Sequence, residues 1–344
     1  MLVVMADDGI VFDGTTPERA PLGGAEGAFV SLAEALAARG HRVLVRNRCA
    51  APLTHHGVAW APLDEAREFG ERAGLYIANR GDRLIGRVPA ARGVFWIHNP
   101  GRYLKKPRYV WALLRHRPVI VTLGAHHAAT VPWWLPSGGR AVIPYGLAAP
   151  FRAPRPERSP PPPRAIFTSN PLRGLGWLLE LWVRRIRPAV PAAELHIYGG
   201  PAVYGAVGDA RAHEMNAVLA RADALGEHGV RRHAPLPREQ LVSALEGARV
   251  MLYRGDEGET FCLAVAEAQA LGVPAVVQPL GAVAERIIDG VTGTIARDDE
   301  AFAAAAIALL GDDTLWRRQH AAALARQKGA SWDEAARLFE ELAA

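Results

Sequence analysis

Twelve residues near the middle of the chain, Arg152-Ala-Pro-Arg-Pro-Glu-Arg-Ser-Pro-Pro-Pro-Pro163, separate two stretches that each alternate strand-like and helix-like segments. Proline offers no amide to a ladder and fixes φ, so this tract favours a stiff, extended path. It predicts a connector over residues 151–164 with no function of its own. Before it, apolar runs predict strands at about 2–5, 42–46, 75–78, 93–97, 119–122 and 141–144. The clearest helix there is about 25–39, with Phe29, Leu32, Ala33 and Leu36 on one face. After it, strands are expected at about 165–168, 194–199, 230–233, 248–253, 275–278 and 293–296. Helices are expected at about 174–186, 212–226, 237–247 and 300–310, and Ser331-Trp332 opens a last one, Asp333–Leu342. Such alternation builds open parallel sheets covered by helices. The 344 residues suit two domains of about 150–180 residues each. The expected division is 1–150, the connector, 165–328, and a terminal segment 329–344.

Chemistry concentrates in one strand–loop–helix–strand unit, Ala248 to Gln278. Its loop and helix read Glu259-Thr260-Phe261-Cys262-Leu263-Ala-Val-Ala-Glu267, closed by Gly272-Val-Pro274. Parallel sheets bind ligands beyond the carboxyl ends of their strands, at helix N-termini. The amides of Phe261, Cys262 and Leu263 are expected to be unpaired first-turn donors. With the positive end of the helix dipole they suit a phosphate or diphosphate. Two carboxylates beside an anion make electrostatic sense when they face hydroxyls instead. A nucleotide sugar, a diphosphate between two polyols, meets that demand. The plainer alternative is that Glu259 caps the helix and Glu267 is a solvated helix residue.

The paired glutamates, the Gly-Val-Pro that follows, and Gly281-Ala-Val-Ala-Glu285-Arg-Ile-Ile-Asp-Gly290-Val-Thr-Gly293 together resemble the donor-binding signature of the family-4 retaining glycosyltransferases. Upstream, Arg173-Gly174 before an apolar helix, and Pro191-Ala-Ala-Glu-Leu-His-Ile-Tyr-Gly-Gly200, resemble further motifs of that family. So do Gly23-Gly24-Ala-Glu26 with its helix ending at Ala38-Arg-Gly-His41, and Ile143-Pro-Tyr-Gly146. The likeness spans nearly the whole chain in the family's order. It implies the GT-B architecture: two Rossmann-like, doubly wound α/β domains facing each other across a cleft. The N-terminal domain would bind acceptor, the C-terminal domain the nucleotide-sugar donor, and the last helix would pack back on the N-terminal domain.

By the same resemblance, Arg173 stands where members carry a Lys, to neutralise the diphosphate and the departing nucleotide. A second basic residue, usual five positions earlier, is replaced by Thr168, which leaves that work to Arg173, helix amides and Arg254. Glu259 is assigned to the transferred sugar's hydroxyls and Glu267 to the ribose. Gly23 and Gly24 would let the first loop approach the donor without Cβ clashes, and Glu26 could cap the helix they open. His98, after the apolar strand Val94-Phe-Trp-Ile97, matches a His placed near the transferred sugar. The implied enzyme is retaining and metal-independent, with a UDP, GDP or ADP sugar as substrate and no cofactor. Its implied role is in bacterial envelope polysaccharide, lipopolysaccharide or glycolipid synthesis.

Charge refines the partners. Residues 1–150 carry 18 Lys/Arg against 11 Asp/Glu, and residues 151–344 carry 22 against 24, so the net +5 is concentrated in the first half. The densest tract, Arg102-Tyr-Leu-Lys105-Lys106-Pro-Arg108-Tyr-Val-Trp111-Ala-Leu-Leu-Arg115-His-Arg117, mixes cations with aromatics. It suits an anionic membrane surface or an anionic, lipid-linked saccharide acceptor. No nucleic-acid motif accompanies it. No stretch approaches the ~20 apolar residues of a membrane span, and Met1-Leu-Val-Val-Met5 reads as a first strand, so a cytoplasmic, peripheral location is expected. Trp133-Trp134-Leu135, after a Pro-containing loop, is read first as packed core, with a membrane or acceptor contact as the alternative. Cys49 and Cys262 form no disulfide or metal pattern, and the pairs His55-His56 and His126-His127 have no carboxylate at metal spacing in sequence. Two rivals share these features: a nucleotide-sugar epimerase of the same architecture, and a catalytically silent membrane-surface adaptor. An oxidoreductase is disfavoured by the missing Gly-x-Gly-x-x-Gly spacing.

Overall fold

The computed structural model describes residues 1–65, 72–204, 208 and 210–343; the last residue of the expected terminal segment lies outside these. The chain forms two compact units, Met1–Gly146 together with Ala330–Ala344, and Leu147–Gly329.

Unit 1 contains β1 (Leu2–Asp7), β2 (Arg42–Asn47), β3 (Leu53–His55), β4 (Val58–Pro62), β5 (Ala73–Asn79), β6 (Ala90–Trp96), β7 (Val119–Thr122) and β8 (Gly139–Val142). They form one sheet in the order β3-β4-β2-β1-β5-β6-β7-β8, parallel throughout except for the β3–β4 hairpin. Central strands such as Val3, Val4, Met5 and Ala6 are fully buried, as expected where helices cover a parallel sheet. Helix Gly24–Ala38 buries the predicted Phe29, Leu32, Ala33 and Leu36. Onto it packs the C-terminal helix Trp332–Glu341, started by a Ser331/Glu334 capping box. Its Ala335, Ala336 and Phe339 are buried, Phe339 lies 5.3 Å from the Trp96 ring, and Glu340 binds both Arg39 and His41.

The β3–β4 hairpin was not anticipated, because its turn is polar. His56 (φ +44°) and Gly57 (φ +77°) make a two-residue turn with both residues left-handed, and His55 pairs Val58. The turn also corrects the expectation for the His55-His56 pair, since it sets both rings beside Glu18 and His56 against Glu34.

Unit 2 contains β9's Leu147 and the strands β10 (Arg164–Phe167), β11 (Glu194–Tyr198), β12 (Val230–His233), β13 (Val250–Gly255), β14 (Ala275–Leu280) and β15 (Gly293–Ile295); β9 itself is Gly146–Leu147. The order β12-β11-β10-β13-β14-β15 is wholly parallel. Counted from β10 this is the 3-2-1-4-5-6 winding of a Rossmann-like domain, reversing direction between β10 and β13.

The proline tract is not a free connector. Its residues fall inside unit 2, where the Pro161 carbonyl accepts from Arg249, the Arg158 amide meets His320 Nε2 at 3.2 Å, and Arg155 pairs with Glu246. Proline lacks a donor but keeps its carbonyl, and the intervening arginines reach neighbours on either side. Trp133 and Trp134 are likewise corrected: they are exposed, and only Leu135 of that trio enters the core.

Candidate functional site

The strand-order reversal in unit 2 places the ends of β10 and β13 side by side. After β10, Asn170 accepts the Arg173 amide on its carbonyl and the Leu172 amide on its side chain, both at 2.9 Å. This turn ends at Gly174 (φ +84°), which starts helix Leu175–Leu181. Arg173 Nη1 then donates to Glu259 Oε2 at 2.7 Å. The same oxygen accepts the Tyr253 hydroxyl at 2.8 Å, and Glu259 Oε1 accepts the Cys262 amide at 3.2 Å. Glu259 is buried, whereas 36% of the Arg173 side chain stays exposed. Burial opposes the Arg173 charge, but the Glu259 carboxylate outweighs it and holds the guanidinium above its ordinary pKa. Burial, reinforced by the Glu259 charge, raises both the Tyr253 phenol and the Cys262 thiol.

The expected unpaired amides at 261–263 are therefore corrected at Cys262. Glu259 closes back on its own loop, because a buried carboxylate is stable only with donors around it. It is at once a counter-ion and a fastening for the residue before the helix. Cys262 precedes helix Leu263–Ala270 in a left-handed conformation (φ +66°), and no side chain caps that helix. Thr260, Phe261 and Glu267 are buried, so the alternative of a solvated Glu267 is also corrected. Gly281 clamps the loop: a Cβ there would stand 2.3 Å from the Asp256 carbonyl and 2.8 Å from that of Glu259.

Arg254 is drawn aside by Gln278, which accepts from its Nε at 3.0 Å, and by the Trp177 ring, 5.1 Å from its guanidinium. Asp299 holds both partners. A residue that sequence reasoning passed over lies nearer the loop. Arg286 sits 4.4 Å over the Phe261 ring, and burial lowers its pKa against the pull of Glu285. Its place inside the 281–293 motif was the available signal.

Unit 1 has a second polar centre at its own reversal, between β1 and β5. Arg80, left-handed at φ +62°, bridges Asp7 at 2.8 Å and Glu26 at 2.7 Å. Glu26 thus binds an arginine rather than capping its helix, which opens at Gly23 and Gly24 without a side-chain cap. Asn79 donates to Asp7 Oδ2 at 2.5 Å, so its oxygen faces His98 Nε2, and His98 Nδ1 meets the Tyr145 hydroxyl at 2.5 Å. His98, matched by resemblance to a His near the transferred sugar, is buried with both ring nitrogens engaged. Burial first, and then the Arg80 charge, push its pKa well below the usual value. The neutral ring donates from Nε2 to Asn79 and accepts from Tyr145 at Nδ1. Asp7, Asn79 and Arg80 carried no sequence signal of a site.

The basic tract forms the turn Gly101–Lys105 and helix Pro107–His116. Tyr109 and Leu113 are buried, while Trp111 is 71% exposed among exposed Lys105, Lys106, Arg108 and Arg115. No described helix is long and apolar enough to cross a membrane.

Residues 163–312 match the family model described as glycosyl transferases group 1. The chain is 36% identical over 106 residues to a D-inositol 3-phosphate glycosyltransferase of Xylanimonas cellulosilytica, covering 30% of this chain and 25% of that protein. It is 32% identical over 142 residues to that of Streptomyces griseus, covering 41% and 29%. The chain thus spans less than a third of the length of these curated relatives. Among solved structures, sucrose-phosphate synthase of Thermosynechococcus elongatus superposes with TM-score 0.77 at 16% identity, covering 99% of this chain and 98% of that one. Anabaena HepE, solved with UDP and glucose, gives 0.70 at 15%, covering 99% and 98%. WaaG, a glycosyltransferase involved in lipopolysaccharide biosynthesis, gives 0.70 at 13%, covering 99% of each. These likenesses establish the GT-B fold.

Proposed function

We propose that the protein is a retaining glycosyltransferase that moves a sugar from a nucleotide-sugar donor held by unit 2 to a saccharide or lipid-linked acceptor hydroxyl. The observation that carries this reading is the Arg173–Glu259–Tyr253 cluster at the reversal of strand order, beside an uncapped helix start. Anchored to Glu259 through Nη1, the half-buried Arg173 keeps further N–H donors for a diphosphate. Glu259 keeps that cation charged and aimed. Glu267, buried on the helix behind, is assigned to the ribose, and the positive end of helix Leu263–Ala270 to the phosphates. The HepE structure with UDP-glucose and the domain match over 163–312 support a nucleotide-sugar donor.

In this mechanism the bond between the anomeric carbon and the nucleotide phosphate breaks while the acceptor hydroxyl attacks from the same face. A donor phosphate oxygen takes the hydroxyl proton. Negative charge grows on the departing diphosphate, and Arg173, the helix dipole and Arg286 stabilise it without a metal. His98 acts by holding Asn79 and Tyr145 in place. The exposed basic helix 107–116 presents unit 1 to an anionic membrane or lipid-linked acceptor of envelope polysaccharide synthesis.

Calorimetry with UDP, GDP and ADP, followed by assay of the corresponding nucleotide sugars, tests this. Saturable binding of one nucleotide, and retention of anomeric configuration in the product, are expected. Absence of binding by all three would favour a silent adaptor, and donor isomerisation without acceptor would favour an epimerase.

A further inference from the structure

We propose that Glu18, His55 and His56 form a divalent transition-metal site at the outer edge of unit 1, with Glu34 orienting one of its imidazoles. One ligand atom from each of the three lies within 4.8 Å of the others. His55 Nε2 stands 3.0 Å from Glu18 Oε1, and His56 Nε2 stands 3.8 Å from the same oxygen. A tetrahedral ion with bonds of about 2.0–2.2 Å sets its ligand atoms roughly 3.3–3.5 Å apart. The two histidine–glutamate spacings straddle that value.

Adjacent residues on a strand point to opposite faces, so neighbouring histidines do not ordinarily share a ligand. Here the left-handed turn at His56 folds its ring back onto that of His55, with centroids 3.9 Å apart. The other nitrogen of His56, Nδ1, lies 3.0 Å from Glu34 Oε1 on helix Gly24–Ala38. A carboxylate on the far nitrogen of a ligating imidazole fixes its tautomer and aims its Nε2 lone pair at the metal. The three ligands and their orienting group thus come from helix Thr16–Arg19, the β3–β4 hairpin and helix Gly24–Ala38. An ion would tie these elements together. Exposure of Glu18 and His56 leaves a path for entry and room for a water as fourth ligand. Two imidazoles and one carboxylate favour Zn²⁺, Ni²⁺ or Cu²⁺ over Mg²⁺ or Ca²⁺.

Titration of untagged, chelator-treated full-length protein with ZnCl₂ by isothermal calorimetry tests the site. One equivalent of saturable binding is expected, absent in the His55→Ala/His56→Ala double variant. Glu34→Gln should weaken it about 10–100-fold, with circular dichroism unchanged in both variants. No saturable binding by the wild type, or full binding by the double variant, would overturn the site; unchanged affinity in Glu34→Gln would remove Glu34 from it.

Discussion

Both units reverse their strand order beside an arginine–carboxylate centre, yet the two centres carry different balances of charge. In unit 1 one guanidinium, Arg80, answers two buried carboxylates, Asp7 and Glu26, and the surplus is negative. In unit 2 Arg173 answers one, Glu259, while Arg286, close by over Phe261, answers Glu285, so these charges balance. An anion would be disfavoured at the first by its surplus carboxylate, a penalty these groups of the second do not impose. Identical winding therefore decides where a ligand can sit, and the loops after the strands decide which ligand it is.

The largest expected effect breaks this contrast on its functional side. Arg173→Ala should lower turnover about 10²–10³-fold, as loss of one charge-stabilising donor does, and unchanged turnover would deny it the role. Next, Arg80→Met leaves Asp7 and Glu26 buried without their cation and should destabilise the protein by roughly 3–5 kcal/mol in urea unfolding. Its nucleotide affinity per folded molecule should be unaffected; a parallel loss of affinity would tie Arg80 to nucleotide binding.

A smaller effect concerns pH. An unfolded histidine titrates near ~6.5, whereas His98 in the fold lies well below that. The unfolded chain therefore takes up the proton first. Stability from the neutral ring is complete above about pH 6.5 and declines as pH falls. Thermal unfolding between pH 7 and 5 should show this decline, and His98→Gln should flatten it in part, since His196 and His320 are depressed too. An unaltered slope would show that His98 titrates normally. Smallest of all, Arg286→Met should weaken UDP binding several-fold, about 1 kcal/mol, without changing the fold; equal affinity would assign Arg286 to packing on Phe261 alone.

The alternation of apolar runs and turn residues announced the α/β fold and most of its parallel strands, because those strands are buried on both faces and read as continuous runs. The hairpin at 53–62 escaped because its turn is His-Gly between short, partly polar strands. The glutamate pair and Arg173 stood out in sequence, but the bond between Arg173 and Glu259 did not: it spans 86 positions. Asp7, Asn79 and Arg80 read simply as strand ends, and only the winding brings them to His98.

Unit 1 is discontinuous, its last helix supplied by residues beyond Gly329. During synthesis, then, its larger part emerges first yet waits for helix Trp332–Glu341 before Phe339 can seal the Trp96 side of the sheet. Unit 2 can complete itself in the meantime. A chain of which only the first 329 residues have emerged would hold unit 2 complete beside an N-terminal sheet still missing its cover, the form on which chaperones and proteases would act.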